Sequence, residues 1–282
     1  MTSIEPGAAL FADAMTLTPV HTDGDVHVFD GELTLDWTVG PPDVGPKVHG
    51  GTMLALCAAA ARRALGGPAQ PVAVSANYLW APDPGPMRLV ATVHKRGRRI
   101  GLVDVELRQG ERTAVRAAVT LGPPEAEGAP LLSADPLGIA MPPVPPADVA
   151  PVGPGHPQQG IVRMARGCDI RPVVDSLWPG EAGAPPRIRM WVRPRGAAPD
   201  GLFALMCTDL SAPVTFHVGR MGWAPTVQLT AYLRALPADG WLRVVNSTTE
   251  IGRDWFHSDH TVLDETGRLV AQSRQLAMVP AT

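Results

Sequence analysis

The chain lacks the features that mark several common classes of protein. Its 282 residues include three cysteines, Cys57, Cys168 and Cys207, and no two of them form a CxxC pair. Scattered cysteines of this kind are typical of a reduced cytosolic protein and predict no zinc site. A net charge of −3 gives no overall basic field, so we expect no nucleic-acid partner.

Long apolar segments are also scarce. The first fifteen residues have no basic region, and Asp13 interrupts their apolar run, so they do not resemble a signal peptide. The alanine-rich run from Thr52 stops at Arg62 and Arg63, short of the 18 residues that a membrane span needs. We therefore expect a cytoplasmic protein with no membrane partner.

What the sequence does contain is mostly strand pattern around one apolar helix. The residues from Thr16 to Val39 form three short alternating runs, separated by turn signals at Asp23-Gly24 and Asp30-Gly31. Residues 52–65 predict a helix that is apolar on nearly every side, and four strand patterns follow from 72 to 122. A single buried helix among antiparallel strands predicts an α+β fold.

The second half of the chain repeats this pattern after a linker at 123–159. Eleven of the first thirty-five linker residues are proline, a density that no helix or sheet interior tolerates. Beyond the linker, TAYLRALPADGWLRV matches ANYLWAPDPGPMRLV of the first half and places Tyr232 on Tyr78. The repeat predicts two like domains, 1–122 and 160–282, packed as a pseudo-dimer.

The helix of the second half is predicted over residues 200–213, DGLFALMCTDLSAP. Asp200 is a suitable N-cap, and Asp209 falls on the apolar face that Leu202 and Leu205 share. A carboxylate on an inward face must find partners, or its pKa rises as it loses solvent. Asp209 is therefore a candidate general base; the alternative, a purely structural carboxylate that caps a loop or pairs with an arginine, stays open.

Three segments resemble the double hot-dog acyl-CoA thioesterases of the thioesterase II (TesB-like) type, most closely their actinobacterial members. They are VHGGTMLALCAAAARRA from Val48, TVQLTAYLRALPADGWLRV from Thr226 and DETGRLVAQSRQLAMV from Asp264. The resemblance implies two tandem hot-dog domains, each a long antiparallel sheet wrapped round one helix. It also implies hydrolysis of a fatty acyl-CoA to free acid and coenzyme A in lipid metabolism, with neither a metal nor a bound cofactor.

The same resemblance implies the catalytic residues. Asp209, Thr230 and Gln275 match the aspartate, threonine and glutamine that bind and activate the hydrolytic water in that family. Strand alternation sets a condition on this set: if the apolar row that includes Leu229 faces the helix, Thr230 points away from Asp209.

The entry to the first helix supplies candidate substrate-binding residues. Gly50 and Gly51 would let substrate approach the backbone N–H groups at the helix start, where an oxyanion could bind; alternatively, they let the helix enter the sheet without a clash. His49 precedes them and is a further candidate. His257 and His260 point to opposite faces of a strand, so we expect surface histidines and no metal pair.

Attack by water is favoured over a covalent serine or cysteine intermediate. The chain has no GxSxG motif, and Cys57 lies within an alanine-rich helix, where we expect it to be inert. An anhydride through Asp209 remains an alternative. Two other functions also stay open: an enoyl-CoA hydratase, and a non-catalytic protein that binds acyl-CoA. A homodimer is a further expectation.

Overall fold

One long antiparallel sheet carries the fold. The computed structural model describes residues 10–125, 128–133, 141–179 and 185–280. Its strands are β1 (Thr18–Asp23), β2 (Val26–Leu33), β3 (Thr38–Val39), β4 (Lys47–Val48), β5 (Gln70–Tyr78), β6 (Gly85–Arg96), β7 (Gly101–Gln109), β8 (Arg112–Gly122), β9 (Cys168–Pro172), β10 (Arg187–Pro194), β11 (Thr226–Leu233), β12 (Leu242–Ser247), β13 (Trp255–Leu263) and β14 (Leu269–Met278). Its helices are α1 (Leu10–Ala14), α2 (Gly50–Leu65) and α3 (Gly201–Met206).

The sheet consists of two halves with the same strand succession. Twelve strands follow the order β1-β2-β6-β7-β8-β5-β11-β14-β13-β12-β10-β9, while β3 and β4 form a separate pair. Read outward from the junction of β5 with β11, each half has a central strand, then a three-stranded meander, then two outer strands. This is the succession that a twofold relation between the halves requires. The domain boundaries at residues 122 and 160 stay predictions.

The predicted match of Tyr78 with Tyr232 is wrong by one residue. Tyr78 points inward and donates a hydrogen bond to the Gly50 carbonyl (3.0 Å), whereas Tyr232 is 44% exposed on the outer face. A Cβ on Gly50 would lie 3.4 Å from the Tyr78 ring, and one on Gly201 would lie 2.9 Å from Leu233. Leu233, not Tyr232, is therefore the counterpart of Tyr78.

Helix α2 is the central rod of the first half, as the apolar pattern predicts. It begins at Gly50, two residues before the predicted start, and Gly66 follows its last residue with a positive φ of 74°. It packs against β5, β6, β7 and β8 on one side and against α3 on another. Its alanines allow this close approach on nearly every face, and they are among the most deeply buried residues of the core.

The second helix is shorter than the predicted span 200–213. Asp200 is its N-cap and accepts a hydrogen bond from the Phe203 N–H (2.8 Å), as expected. The α-helix ends at Met206, and residues 207–209 form a 3-10 turn. The Thr208 hydroxyl bonds the Leu205 carbonyl (2.6 Å), and the position before Pro213 disfavours helix. Asp209 consequently lies at the end of a tight turn.

Part of this region would be apolar enough to cross a membrane. By length and composition the stretch Gly201–Val218 qualifies, so the expectation that no such stretch exists is wrong. It comprises α3 and two 3-10 turns, and 61% of it is buried inside the protein. A buried helix in the core of a protein can have the same length and apolar composition, so this stretch does not indicate a membrane location.

One predicted turn is also wrong. Asp30 and Gly31 lie inside β2, where they pair with Arg88 and Met87 of β6. The Asp30 carboxylate accepts a hydrogen bond from Arg88 Nε (2.8 Å), a cross-strand contact that the Asp-Gly pair does not reveal. The third predicted run is not a strand of the large sheet, because residues 35–37 form a 3-10 turn.

Residues 141–149 of the proline-rich linker lie over the outer face of the second half. Met141 packs with Trp191 and Trp241 in a small cluster that is separate from the main core. The Trp191 indole N–H donates to the Pro142 carbonyl (2.9 Å), and Arg243 donates to the Met141 carbonyl (3.0 Å). The linker thus covers aromatic surface that its own half of the sheet leaves on the outer side.

Candidate active site

The candidate site lies where the two halves meet. Asp209, from the turn after α3, lies against the first residues of α2. A Cβ on Gly50 would come within 2.5 Å of Asp209 Oδ2, and a Cβ on Gly51 would come within 2.3 Å of the Met206 carbonyl oxygen. A side chain at either position would collide with the turn that carries Asp209. Glycine leaves the space, so a carboxylate of one half can lie against the helix start of the other.

The surroundings of Asp209 bring the pKa of its carboxyl group close to neutral pH. Burial raises the pKa of Asp209 to about 7, while hydrogen bonds from the Gly51 backbone N–H and the Thr226 side chain act in the opposite direction. The positive end of the α2 dipole also favours the carboxylate. A carboxyl group that is half ionised near neutral pH can both accept and return a proton in one reaction cycle.

Gln275 is on the same inner face, as its strand period predicts. It is buried on β14, where it alternates with outward residues, and its side-chain amide donates to Ser258 Oγ (2.9 Å). Thr226 Oγ1 lies 3.3 Å from Gln275 Oε1 and also bonds the Asp209 carboxyl. A hydroxyl has one proton, so Thr226 donates either to Gln275 or to the ionised Asp209 carboxyl at one time, and it lies beside both.

Thr230, by contrast, does not join this group. It pairs with Arg274 on β14, one position from the Leu229–Gln275 pair, so its side chain points to the outer face. There Thr230 Oγ1 lies 3.1 Å from Ser75 Oγ and accepts a hydrogen bond from Gln228 (2.8 Å). The expected convergence of Thr230 with Asp209 is wrong, and the threonine beside Asp209 is Thr226.

His49 connects the start of α2 to the 3-10 turn that carries Asp209. Its Nδ1 accepts a hydrogen bond from the Thr52 N–H (3.3 Å), so Nε2 carries the proton and donates to the Asp209 backbone carbonyl (3.1 Å). Burial lowers the pKa of His49 to about 4. The ring is therefore neutral at pH 7, and its 3.7 Å approach to Asp209 Oδ2 is not an ion pair.

A buried serine–histidine pair was missed from the sequence. Ser211 Oγ lies 3.1 Å from His260 Nε2 and accepts a hydrogen bond from Asn246 Nδ2 (2.6 Å). His260 is 1% exposed, so the expectation of a surface histidine is wrong for it. Burial lowers the pKa of His260 to about 3, which makes it too weak a base to activate Ser211. Forty-nine residues separate the pair, and no motif spans that distance.

Cys57 behaves as the sequence predicts. It is buried within α2, and burial raises the pKa of its thiol to about 12. The thiolate, which is the reactive form of cysteine, is therefore scarce at neutral pH.

The twofold relation produces a second, equivalent position, and that position is apolar. His49 and Asp200 both cap a helix by accepting the N–H three residues ahead, and nine residues after each cap stand Ala58 and Asp209. The pairing of Ser258 with Gln275 corresponds to that of Val103 with Val119. The other equivalents include Leu202 for Gly51 and Leu233 for Tyr78. The polar group around Asp209 is thus present once.

Comparison with known proteins identifies the family. Residues 36–122 match the acyl-CoA thioesterase N-terminal domain, and residues 145–279 match the acyl-CoA thioesterase C-terminal domain. The chain belongs to the acyl-CoA thioesterase family. It is also 59% identical to uncharacterized proteins of Mycobacterium tuberculosis and Mycobacterium bovis, over 97% of this chain and 99% of theirs.

Solved structures confirm that this thioesterase family member has the double hot-dog fold. A hot-dog protein from Alicyclobacillus acidocaldarius matches with a TM-score of 0.75 at 22% identity, covering 98% of this chain and all of that one. The acyl-CoA thioesterase II TesB2 from Mycobacterium marinum matches with a TM-score of 0.68 at 17% identity, covering 96% of this chain and 98% of that one. At these identities the likeness establishes the fold alone.

Among the residues that the structure describes, no three of His, Cys, Asp and Glu are grouped closely enough to hold a metal. A cleft of about 410 Å³ opens near the C-terminal end of α2, beside Ala59, Arg62 and Arg63. Ala59 is eight residues from Gly51, about 12 Å along the helix, so this cleft is remote from the carboxylate.

Proposed function

We propose that this chain hydrolyses fatty acyl-CoA to free acid and coenzyme A, with Asp209 as the base for an attacking water. The observation that carries the proposal is the buried Asp209 carboxyl, with its pKa near 7, held against the start of α2. Membership of the acyl-CoA thioesterase family supports the reaction class.

The proposed step needs a base, a held water and donors for the oxyanion. Asp209 takes a proton from water as the water oxygen bonds to the thioester carbon, and the carbonyl oxygen gains the negative charge. The backbone N–H of Gly50, at the positive end of α2, stabilises that oxygen, while the Gly51 N–H stays on the Asp209 carboxyl. Collapse of the intermediate breaks the C–S bond, and the Asp209 proton passes to the departing thiolate.

Gln275 and Thr226 are proposed to bind the attacking water. Thr226 has the role that the sequence predicts for Thr230. Thr226 is the hydroxyl that contacts both the Asp209 carboxyl and the Gln275 amide. His49 acts through position, because it fixes the Asp209 backbone against α2. We retain it with Gly50 and Gly51 as proposed substrate-binding residues.

Water attack is preferred to the covalent alternatives. The base beside Ser211 is His260, which is neutral and weakly basic, and Cys57 is a buried thiol. An anhydride through Asp209 would place the first new bond on a carboxylate oxygen. Hydrolysis in ¹⁸O water detects an anhydride that is opened at its aspartyl carbonyl, because in a single turnover this route alone puts ¹⁸O into Asp209 and leaves it out of the free acid.

Thiol release tests the function directly. Purified protein is incubated with acyl-CoAs of several chain lengths and free coenzyme A is measured, with Asp209→Asn as the inactive variant. We expect release that the variant reduces by about a hundredfold or more. Hydration of crotonyl-CoA without thiol release would replace the proposal with a hydratase. Acyl-CoA-dependent melting without turnover would replace it with a binding protein.

The cytoplasmic location and the homodimer also stand as proposals. A homodimer predicts twice the chain mass by light scattering at micromolar concentration, and a monomer mass would refute it.

A further inference from the structure

Polar side chains continue beyond Gln275 along the inner face of the second half. Ser258 lies opposite Gln275, and the next inward residue of β13 is His260. His260 in turn lies opposite Asn246 on β12 and Ser273 on β14. The separation from Ser258 to His260 is two residues, about 7 Å along the strand. A chain of polar groups thus leads away from the proposed reaction centre.

Two of these side chains have unused hydrogen-bonding capacity. Asn246 and His260 are each 1% exposed, and both bond Ser211 Oγ, through Asn246 Nδ2 (2.6 Å) and His260 Nε2 (3.1 Å). Asn246 Oδ1 and His260 Nδ1 have no partner among the described residues. Buried polar atoms are rarely left in this state in folded proteins, so the pair requires an occupant.

The fold itself does not need polar residues here. The equivalents in the first half are Ala91 and Val105, which pair with each other on β6 and β7 and are fully buried. An alanine and a valine therefore fit the same position in the same sheet. Packing of the sheet therefore does not explain why the second half has a polar pair at these positions.

We propose that Asn246 and His260 bind a hydroxyl group on the acyl chain, so that the preferred substrates are hydroxyacyl thioesters. The proposal rests on the proposed function, because it places the thioester carbonyl beside Asp209. A hydroxyl both donates and accepts, so it can donate to Asn246 Oδ1 and accept from His260 Nδ1. This requires the Ser211 hydroxyl to donate to His260 Nε2 (3.1 Å) in place of the Ala212 carbonyl (2.9 Å). The separation of about 7 Å along β13 is the length of roughly five carbon–carbon bonds, so we place the hydroxyl within about the first six carbons of the acyl group.

The position of Ser211 ties the pair to the reaction centre. Ser211 follows Asp209 by two residues and holds both Asn246 and His260, so the turn that carries the base also orients the hydroxyl site. A buried water would satisfy the same two atoms without any role in substrate choice. The two occupants differ in what they predict for substrate preference.

The experiment compares acyl-CoAs of equal chain length: unsubstituted, 3-hydroxy and 5-hydroxy. We expect wild-type kcat/KM to favour one hydroxy derivative by about tenfold or more. The double variant Asn246→Ala with His260→Val, which installs the first-half residues, is expected to abolish that preference while still hydrolysing the unsubstituted substrate. His257→Val, on the outer face of the same strand, is the matched control and should keep the preference.

Several outcomes would overturn the inference. Equal wild-type rates on hydroxy and unsubstituted substrates would assign the pair to a structural water, as would an equal loss on both substrates in the double variant. If the double variant fails to melt cooperatively, Asn246→Ala alone is measured against the same ratio. Absence of hydrolysis on all three substrates would instead refute the proposed function, and this inference with it.

Discussion

Asp209→Asn should inactivate the protein and, at high pH, stabilise it. Asparagine has the shape of the protonated acid: its amide oxygen can accept from the Gly51 N–H, and its amide N–H can donate to Thr226 Oγ1, which then donates to Gln275 Oε1, so packing is preserved. It cannot ionise. The substitution therefore removes both the base and the cost of holding a charge in a buried site.

The size of the effect follows from the pKa of Asp209. Its value rises from the usual 3.8 to about 7 in the folded protein, so between these limits the folded state binds the proton more tightly than the unfolded chain. Stability then falls as pH rises from 3.8 to 7, by about 4 kcal/mol in all at 1.36 kcal/mol per pKa unit. For a chain of this length that is roughly 7 °C in melting temperature.

Thermal melting of wild type and Asp209→Asn at pH values from 4 to 9 measures this difference. We expect nearly equal melting temperatures at pH 4 and a widening advantage for the variant that levels off above pH 7. Asp200→Asn makes the same chemical change at the N-cap of α3, where asparagine caps as well, and should stay within about 1 °C of wild type at pH 8. A gap that does not change with pH would refute the reasoning.

Three other predictions follow from the site. Thr226→Val should lower kcat/KM by about a hundredfold, while Thr230→Val on the outer face should leave it within about threefold; equal effects would contradict the assignment. Wild-type kcat/KM should rise about tenfold per pH unit up to pH 7 and then level off as the Asp209 carboxylate becomes fully populated, and a flat profile would exclude this base. Gly51→Ala places a Cβ 2.3 Å from a backbone carbonyl oxygen and should cost about 2 kcal/mol by denaturant unfolding, whereas Gly153→Ala, with open space around it, should cost less than about 0.5.

The sequence predicts those parts of the site that depend on local pattern. The cap at Asp200, the helix start near Gly50 and the inward face of Gln275 all follow from capping preferences and strand alternation. Thr226 could not be selected in this way. A β-bulge between Thr226 and Gln228 resets the alternation, so Thr226 joins the inner face while Thr230 stays on the outer one. No residue type at that point identifies the bulge.

The length of α3 and the Ser211–His260 contact were missed for a different reason. Period alone extends α3 to Pro213, but the Thr208 hydroxyl competes for a helix carbonyl and a tight turn replaces the last helical residues. The contact between Ser211 and His260 joins segments that only the tertiary fold brings together. Sequence period assigns a side chain to a face, but it does not say which residue of another element meets it.

The features that sequence period does not predict are concentrated at the site, and the twofold relation between the halves explains why. Where the first half has Ala58, Val103 and Val119, the second has Asp209, Ser258 and Gln275. The apolar set shows what this sheet and helix need for packing, and the polar set departs from it at a cost in desolvation. Such a departure is expected where selection acts on chemistry. Because the two sets occupy equivalent positions, replacing Gln275 with valine should preserve folding while removing activity, and a variant that remained active would separate this glutamine from the reaction.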